Sequence, residues 1–227
     1  MNELLTKGIG HTEFKDSPVG KIPVGWGVKR LGEVSNIVFS NVDKKTHSDE
    51  IPVFLCNYMD VYKNSYIRNG MKFMRATAKQ REIDKFSLTF GDVIITKDSE
   101  TPDDIAVSTY VSEDLRNVIC GYHLALIRSD KTKLFGGYLS HIFGLSEVQH
   151  HYYQLANGST RFGLTSDVIL KSEIPLPPLP EQQKIASILT SVDSHIEEKQ
   201  RKLEQTQSLK KSLMQDLLTG KVRVTVH

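Results

Sequence analysis

Cysteine and tryptophan are scarce in this chain of 227 residues, with two of the first and one of the second. Cys56 and Cys120 lie 64 positions apart. They are too few for a disulfide framework and lack metal-ligand spacing, so buried free thiols in a reducing cytoplasm are expected. No run approaches the roughly 18 apolar residues that a membrane span needs. The first residues, MNELLTKGIGHTEFK, hold no apolar signal core. A strong charge of either sign is also absent: 29 Lys and Arg stand against 27 Asp and Glu, a net charge of +2. That balance argues against a general polyanion binder. It leaves room for a basic face on an acidic body, because fields act locally. The 39% hydrophobic and 25% charged content is that of a globular protein, and the length allows one full domain plus an additional element.

Signatures of catalysis are missing as well. No G-x-x-x-x-G-K-[ST] loop occurs to cradle phosphates, and no G-x-G-x-x-G follows a strand. Leu176-Pro177-Pro178-Leu179 has the two prolines of an amino-methyltransferase loop. It lacks the polar first residue and aromatic last residue that grip a flipped base. Thr101-Pro102-Asp103-Asp104 looks faintly like half of a metal-dependent nuclease site, but the only later E-x-K-like stretch, Glu197-Glu198-Lys199, falls in a helix of another character. His150, His151 and His195 have no carboxylate or cysteine at ligand spacing. No catalytic residue and no metal ligand is therefore assigned, and the chain is expected not to be an enzyme.

What is present is clearest at the C-terminal side. From Glu181 to Thr219 there is neither proline nor glycine, with Pro180 before and Gly220 after, the asymmetry of a helix start and stop. At ~1.5 Å per residue such a helix is a rod of roughly 58 Å. Its apolar residues alternate by four and three. One seam position holds Leu189, Ile196, Leu203, Lys210 and Leu217; the other holds Ile185, Val192, Lys199, Thr206 and Leu213. So narrow a stripe is a coiled-coil seam, and its polar members fix register. The apolar ones (Ile185, Leu189, Val192, Ile196, Leu203, Leu213 and Leu217) are the candidate dimer interface.

The preceding run, residues 174–180, carries four prolines in six positions and is expected to be a stiff extended connector, neither helix nor central strand. Residues 17–173 read as a mixed α/β domain, so the fold class is α+β: one globular domain followed by one long helix. Short β-rich runs recur at Val34–Phe39, Val53–Leu55, Asp92–Thr96, Ile105–Val111 and Leu124–Ile127. Helices are expected at Ala76–Asp84 and Gly137–Gln154, and Trp26 closes a turn-rich lead-in as a core anchor. An internal echo joins the two ends: Glu3-Leu4-Leu5-Thr6-Lys7-Gly8 resembles Asp216-Leu217-Leu218-Thr219-Gly220-Lys221, as in one period of a tandem repeat.

Residues 174–224, IPLPPLPEQQKIASILTSVDSHIEEKQRKLEQTQSLKKSLMQDLLTGKVRV, resemble the central conserved region of type I restriction-modification specificity subunits. FKDSPVGKIPVGWGVKRLGEV resembles the start of their target recognition domains, NGSTRFGLTSDVILKSEIPLPPLPEQ the end, and GDVIITKD a strand and loop within. Such subunits usually carry two recognition domains and two helices. This chain has one of each, with residues 1–16 resembling the tail of a preceding conserved helix and 221–227 a C-terminal tail. The resemblance implies a non-catalytic DNA-reading subunit, half-length, pairing with itself as an antiparallel homodimer on an interrupted palindrome. It also implies methyltransferase and restriction subunits as partners, with S-adenosylmethionine, ATP and Mg²⁺ on those partners and no cofactor on this chain.

Three loops offer groups for double-stranded DNA: Ser159, Thr160 and Arg161 after Asn157-Gly158; Lys97 and Ser99 after a strand; and Tyr122 and His123 after Gly121. An ordinary surface turn is the plain alternative for each. Arg75 and Lys79, with Lys72 and Arg81, form a basic cluster suited to phosphates or to a solvated helix face. Two other readings stay open: a coiled-coil adaptor that binds methyltransferase subunits without reading DNA, and a nuclease, which the missing motifs disfavour.

Overall fold

Val93-Ile94-Ile95-Thr96 is buried at every position, the pattern of a strand covered on both faces. In the computed structural model, which describes residues 2–158 and 160–221, it is the middle strand of a five-stranded sheet. Leu124–Ser129 runs antiparallel beside it and also pairs with Ser35–Phe39. On its other side lies Ser108–Val111, antiparallel, followed by Tyr66–Ile67, parallel to that strand. A second sheet places Ile51–Cys56 between Val118–Cys120 (parallel) and Met74–Ala78 (antiparallel). Leu55, Ile67, Ile94, Ile119, Leu124 and Leu126 from both sheets, with Phe86 and Leu88, fill one apolar core. Cys56 and Cys120 belong to it as free thiols. Burial drives both thiols far towards their protonated form, so they behave as small hydrophobes.

Two expected helices differ. Met74–Ala78 is a strand, and the helix there starts at Gln80 and ends at Phe86. Alternation decided it: Arg75 faces out while Ala76 and Ala78 are buried. The pattern from Gly137 to Gln154 is split into Gly136–Phe143 and Ser146–Leu155, because Gly144 ends the first helix and Leu145 is extended. Glycine is a poor helix-interior residue, and here it marks the break.

The proline run is not a free connector. Glu173–Leu176 is a strand, antiparallel to Gly27–Arg30, with Pro175 opposite Val28. A two-stranded sheet leaves each strand a free edge, where a residue without an N–H fits. The helix then starts at Leu179, with Pro180 in the first turn, where its missing donor is not needed.

That helix, Leu179–Leu218, is unbroken over 40 residues. It ends in a left-handed Gly220 (φ +72°), with Gly220 N–H donating to Leu217 O and Lys221 N–H to Asp216 O at 3.0 Å, a Schellman cap. The chain divides into two units after Ala186, so the first two helical turns belong to the globular unit. Within that unit Gln182 is fully buried. Its Oε1 accepts from Phe135 N–H at 2.9 Å, and its Nε2 donates to the carbonyls of Lys133 (2.8 Å) and Pro177 (2.9 Å).

The seam is revised at its start. Ile185 and Leu189, expected to meet a partner, are buried within the chain at 0% and 3% exposure. Val192, Ile196, Leu203, Leu213 and Leu217 are 46% to 61% exposed, and Ile188, Leu209, Met214 and Leu218 add to the uncovered apolar surface. None of the described helices is long and apolar enough to cross a membrane.

Candidate nucleic-acid interface

The central sheet strands 93–96 and 124–129 deliver two of the expected loops to the same place. Lys97 N–H donates to the His123 carbonyl at 3.1 Å, and Gly121 N–H to the Cys56 carbonyl at 2.8 Å. Gly121 passes so close that a Cβ there would lie 2.7 Å from the Cys56 carbonyl oxygen, which is why glycine opens this loop. The third loop arrives through a short ribbon in which Phe162 and Gly163 pair with Ser99 and Asp98. Asn157 and Gly163 close it by two backbone hydrogen bonds of 3.1 and 3.0 Å. Gly158 turns the tip at φ +146°, and a Cβ on it would collide with the Arg161 carbonyl.

These loops converge on a residue not selected from the sequence, Asp98. Lys97 Nζ lies 2.6 Å from its Oδ2, His123 Nδ1 contacts its Oδ1, and Arg161 Nη2 stands 3.7 Å from the same oxygen. Arg161 Nη2 is also 3.3 Å from the His123 ring nitrogens. Lys97 Nζ sits over the rings of Phe39 (5.4 Å) and Tyr122 (5.2 Å), and Tyr122 packs edge-on against His123 at 4.1 Å. His123 holds φ +72°, a left-handed backbone that costs a non-glycine residue of order 1 kcal/mol. Partial burial, more than the surrounding charges, lowers the affinity of His123 for a proton; Asp98 opposes this, while Arg161 and Lys97 reinforce it.

Lys97, Tyr122, His123 and Arg161 thus form one cationic and aromatic patch, with Arg161 (57% exposed) and Tyr122 outermost. Thr160 is exposed beside it. Ser99 is corrected: it is buried, and its Oγ accepts from the Tyr58 hydroxyl at 3.2 Å, so it supports the loop from below. Ser159 lies outside the described residues. Arg75 and Lys79 do not share a helix face. Arg75 is on a strand opposite Phe54, and Lys79 precedes the helix Gln80–Phe86, on elements other than those carrying the patch. Tyr58 stacks on Tyr62, whose hydroxyl donates to Asp104 Oδ1 at 2.9 Å, a flanking aromatic pair that no motif signalled. No described group of His, Cys, Asp and Glu has the makings of a metal site.

A patch of this chemistry, one lysine and one arginine around planar hydrogen-bonding groups, suits phosphate and base edges. Residues 23–206 match the family described as the type I restriction modification DNA specificity domain. The chain belongs to that family. It is 29% identical over 235 residues to the type I restriction enzyme MjaVIII specificity subunit of Methanocaldococcus jannaschii, covering 99% of this chain and 53% of that one. The putative MjaX specificity subunit of the same organism is 25% identical, covering 91% and 48%. A solved chain from the type I R-M system shares the fold at a TM-score of 0.62 and 20% identity, covering 91% of this chain and 47% of that one. The chain therefore spans about half the length of the curated relatives it matches. The mixed α/β domain followed by a long helix, expected from the sequence, is the family architecture.

Proposed function

We propose that this chain reads DNA sequence for a type I restriction-modification assembly and carries no catalysis of its own. The observation that carries the reading is the convergence of three separate loops, 97–99, 121–123 and 157–163, into one patch that exposes Arg161 and Tyr122. Membership of the specificity-domain family supports it. Lys97 and Arg161 would fix phosphates and a base edge, with Tyr122 and Thr160 alongside.

Two copies pair through the exposed seam from Val192 to Leu217, antiparallel, giving a twofold interface and one reading domain towards each end. Symmetry in the protein then requires symmetry in the target, an interrupted palindrome whose spacer follows helix length. Methyltransferase and restriction subunits dock on this pair and bring S-adenosylmethionine, ATP and Mg²⁺, in the cytoplasm. The exposed apolar helix equally fits an adaptor that collects methyltransferase subunits without reading DNA. Footprinting of the reconstituted methyltransferase complex separates the two. A protected, sequence-defined bipartite site supports the specificity reading, and loss of protection with intact subunit binding supports the adaptor.

A further inference from the structure

Resting on the reading of the patch as a DNA contact, we propose that Asp98 and His123 are positioning residues. They aim the Arg161 guanidinium at a single base pair of the half-site and so set specificity there. An acidic residue in a DNA-facing patch repels phosphate and needs a reason to be present. Here Asp98 is 16% exposed and turned inward on Lys97, His123 and Arg161. His123 Nδ1 contacts Asp98 Oδ1, and Arg161 Nη2 stands 3.3 Å from both ring nitrogens, which lays the guanidinium against the face of the imidazole. A protonated His123 would face Arg161 as a second cation, so the lowered proton affinity of His123 suits this stacked contact.

The loop carrying Arg161 is pinned at its base by the Asn157 and Gly163 backbone bonds and by the ribbon to Asp98 and Ser99. Its side chain, more than half exposed, takes lateral support from His123. An arginine held this way matches the O6 and N7 acceptors of guanine in the major groove. Lys97 is different: it is 15% exposed, ion-paired to Asp98 and covered by two rings, so it adds positive charge to the patch without reaching a base edge.

The test is selection of binding sites from randomised duplexes by the full chain with its methyltransferase subunits. Wild type is compared with Arg161→Ala, Asp98→Asn, His123→Asn and Lys97→Ala. Asparagine tolerates the left-handed backbone at position 123, so His123→Asn keeps the turn and removes the imidazole face. The expected result is loss of guanine preference, about ten-fold or more, at one and the same half-site position for Arg161→Ala, Asp98→Asn and His123→Asn. Lys97→Ala lowers affinity evenly across sequences. If Asp98→Asn and His123→Asn keep the wild-type preference at the position Arg161 reads, or erode all positions evenly, the positioning role is overturned while the DNA reading stands. A wild-type complex with no sequence preference would remove the DNA reading and this inference with it.

Discussion

Glu181 Oε2 accepts a hydrogen bond from the Trp26 indole at 3.0 Å, joining the lead-in of the domain to the first turn of the long helix across 155 residues. The other oxygen of the same carboxylate takes Ile9 N–H at 3.1 Å and His11 Nε2 at 2.8 Å. One side chain thus gathers three segments around the buried Trp26 ring. Glu181→Ala leaves the indole N–H without its partner, and about 1–3 kcal/mol of domain stability should be lost. Urea denaturation of the two proteins measures it. A change below roughly 0.5 kcal/mol would show that the carboxylate is replaceable by water.

Gly121→Ala presses a methyl group against the Cys56 carbonyl, where strand 118–120 runs beside 51–56. A destabilisation of about 1–3 kcal/mol is expected, since neither backbone can withdraw without breaking the 118–120 and 51–56 pairing. Lowered thermal stability accompanied by weakened DNA binding is the predicted pair of effects, because the same loop carries Tyr122 and His123.

His123 titrates below its ordinary value near 6.5, chiefly through burial. In the unfolded chain it binds a proton more readily, so its contribution to stability is present above about pH 6.5 and is lost as pH falls towards the lowered folded value. Asp98 favours the charged imidazole and Arg161 disfavours it. Asp98→Asn should therefore lower the midpoint further and Arg161→Ala should raise it, as read by NMR of the imidazole protons. Shifts of the opposite sign in both variants would contradict the geometry of the patch.

The long helix exposes Val192, Ile196, Leu203, Leu213 and Leu217 along one seam. Leu203→Glu places a charge in the middle of any paired seam and should dissociate the proposed homodimer, at least a ten-fold weakening by analytical ultracentrifugation. Thermal unfolding of the globular unit should stay the same. A wild-type chain that stays monomeric at micromolar concentration without partner subunits would contradict self-pairing.

Regular elements were legible from the residues to the extent that a pattern is local. The long helix is marked by its flanking Pro180 and Gly220, and the buried strand Val93–Thr96 by its continuous apolar run. Ala76–Asp84 reads as helix from its first residue because the five-residue alternation of Met74–Ala78 is short beside the helical spacing that follows it. The proline run reads as a stiff extended connector and not as a paired strand, because nothing in its own composition reveals Gly27–Arg30, the strand it pairs with. In the patch, Lys97, Tyr122, His123 and Arg161 are visible as loop chemistry, whereas Asp98 gains its role only from residues 25 and 63 positions away. Likewise, the burial of Ile185 and Leu189 is a tertiary fact that a heptad pattern cannot carry.

The most direct measurement is the set of DNA sites methylated in cells that carry this chain and its methyltransferase subunits, with no second specificity protein present. The account predicts one interrupted palindrome with identical inverted half-sites, and loss of discrimination at a single position per half-site for Arg161→Ala. An asymmetric bipartite site, or a methylation pattern unchanged by that substitution, would contradict it.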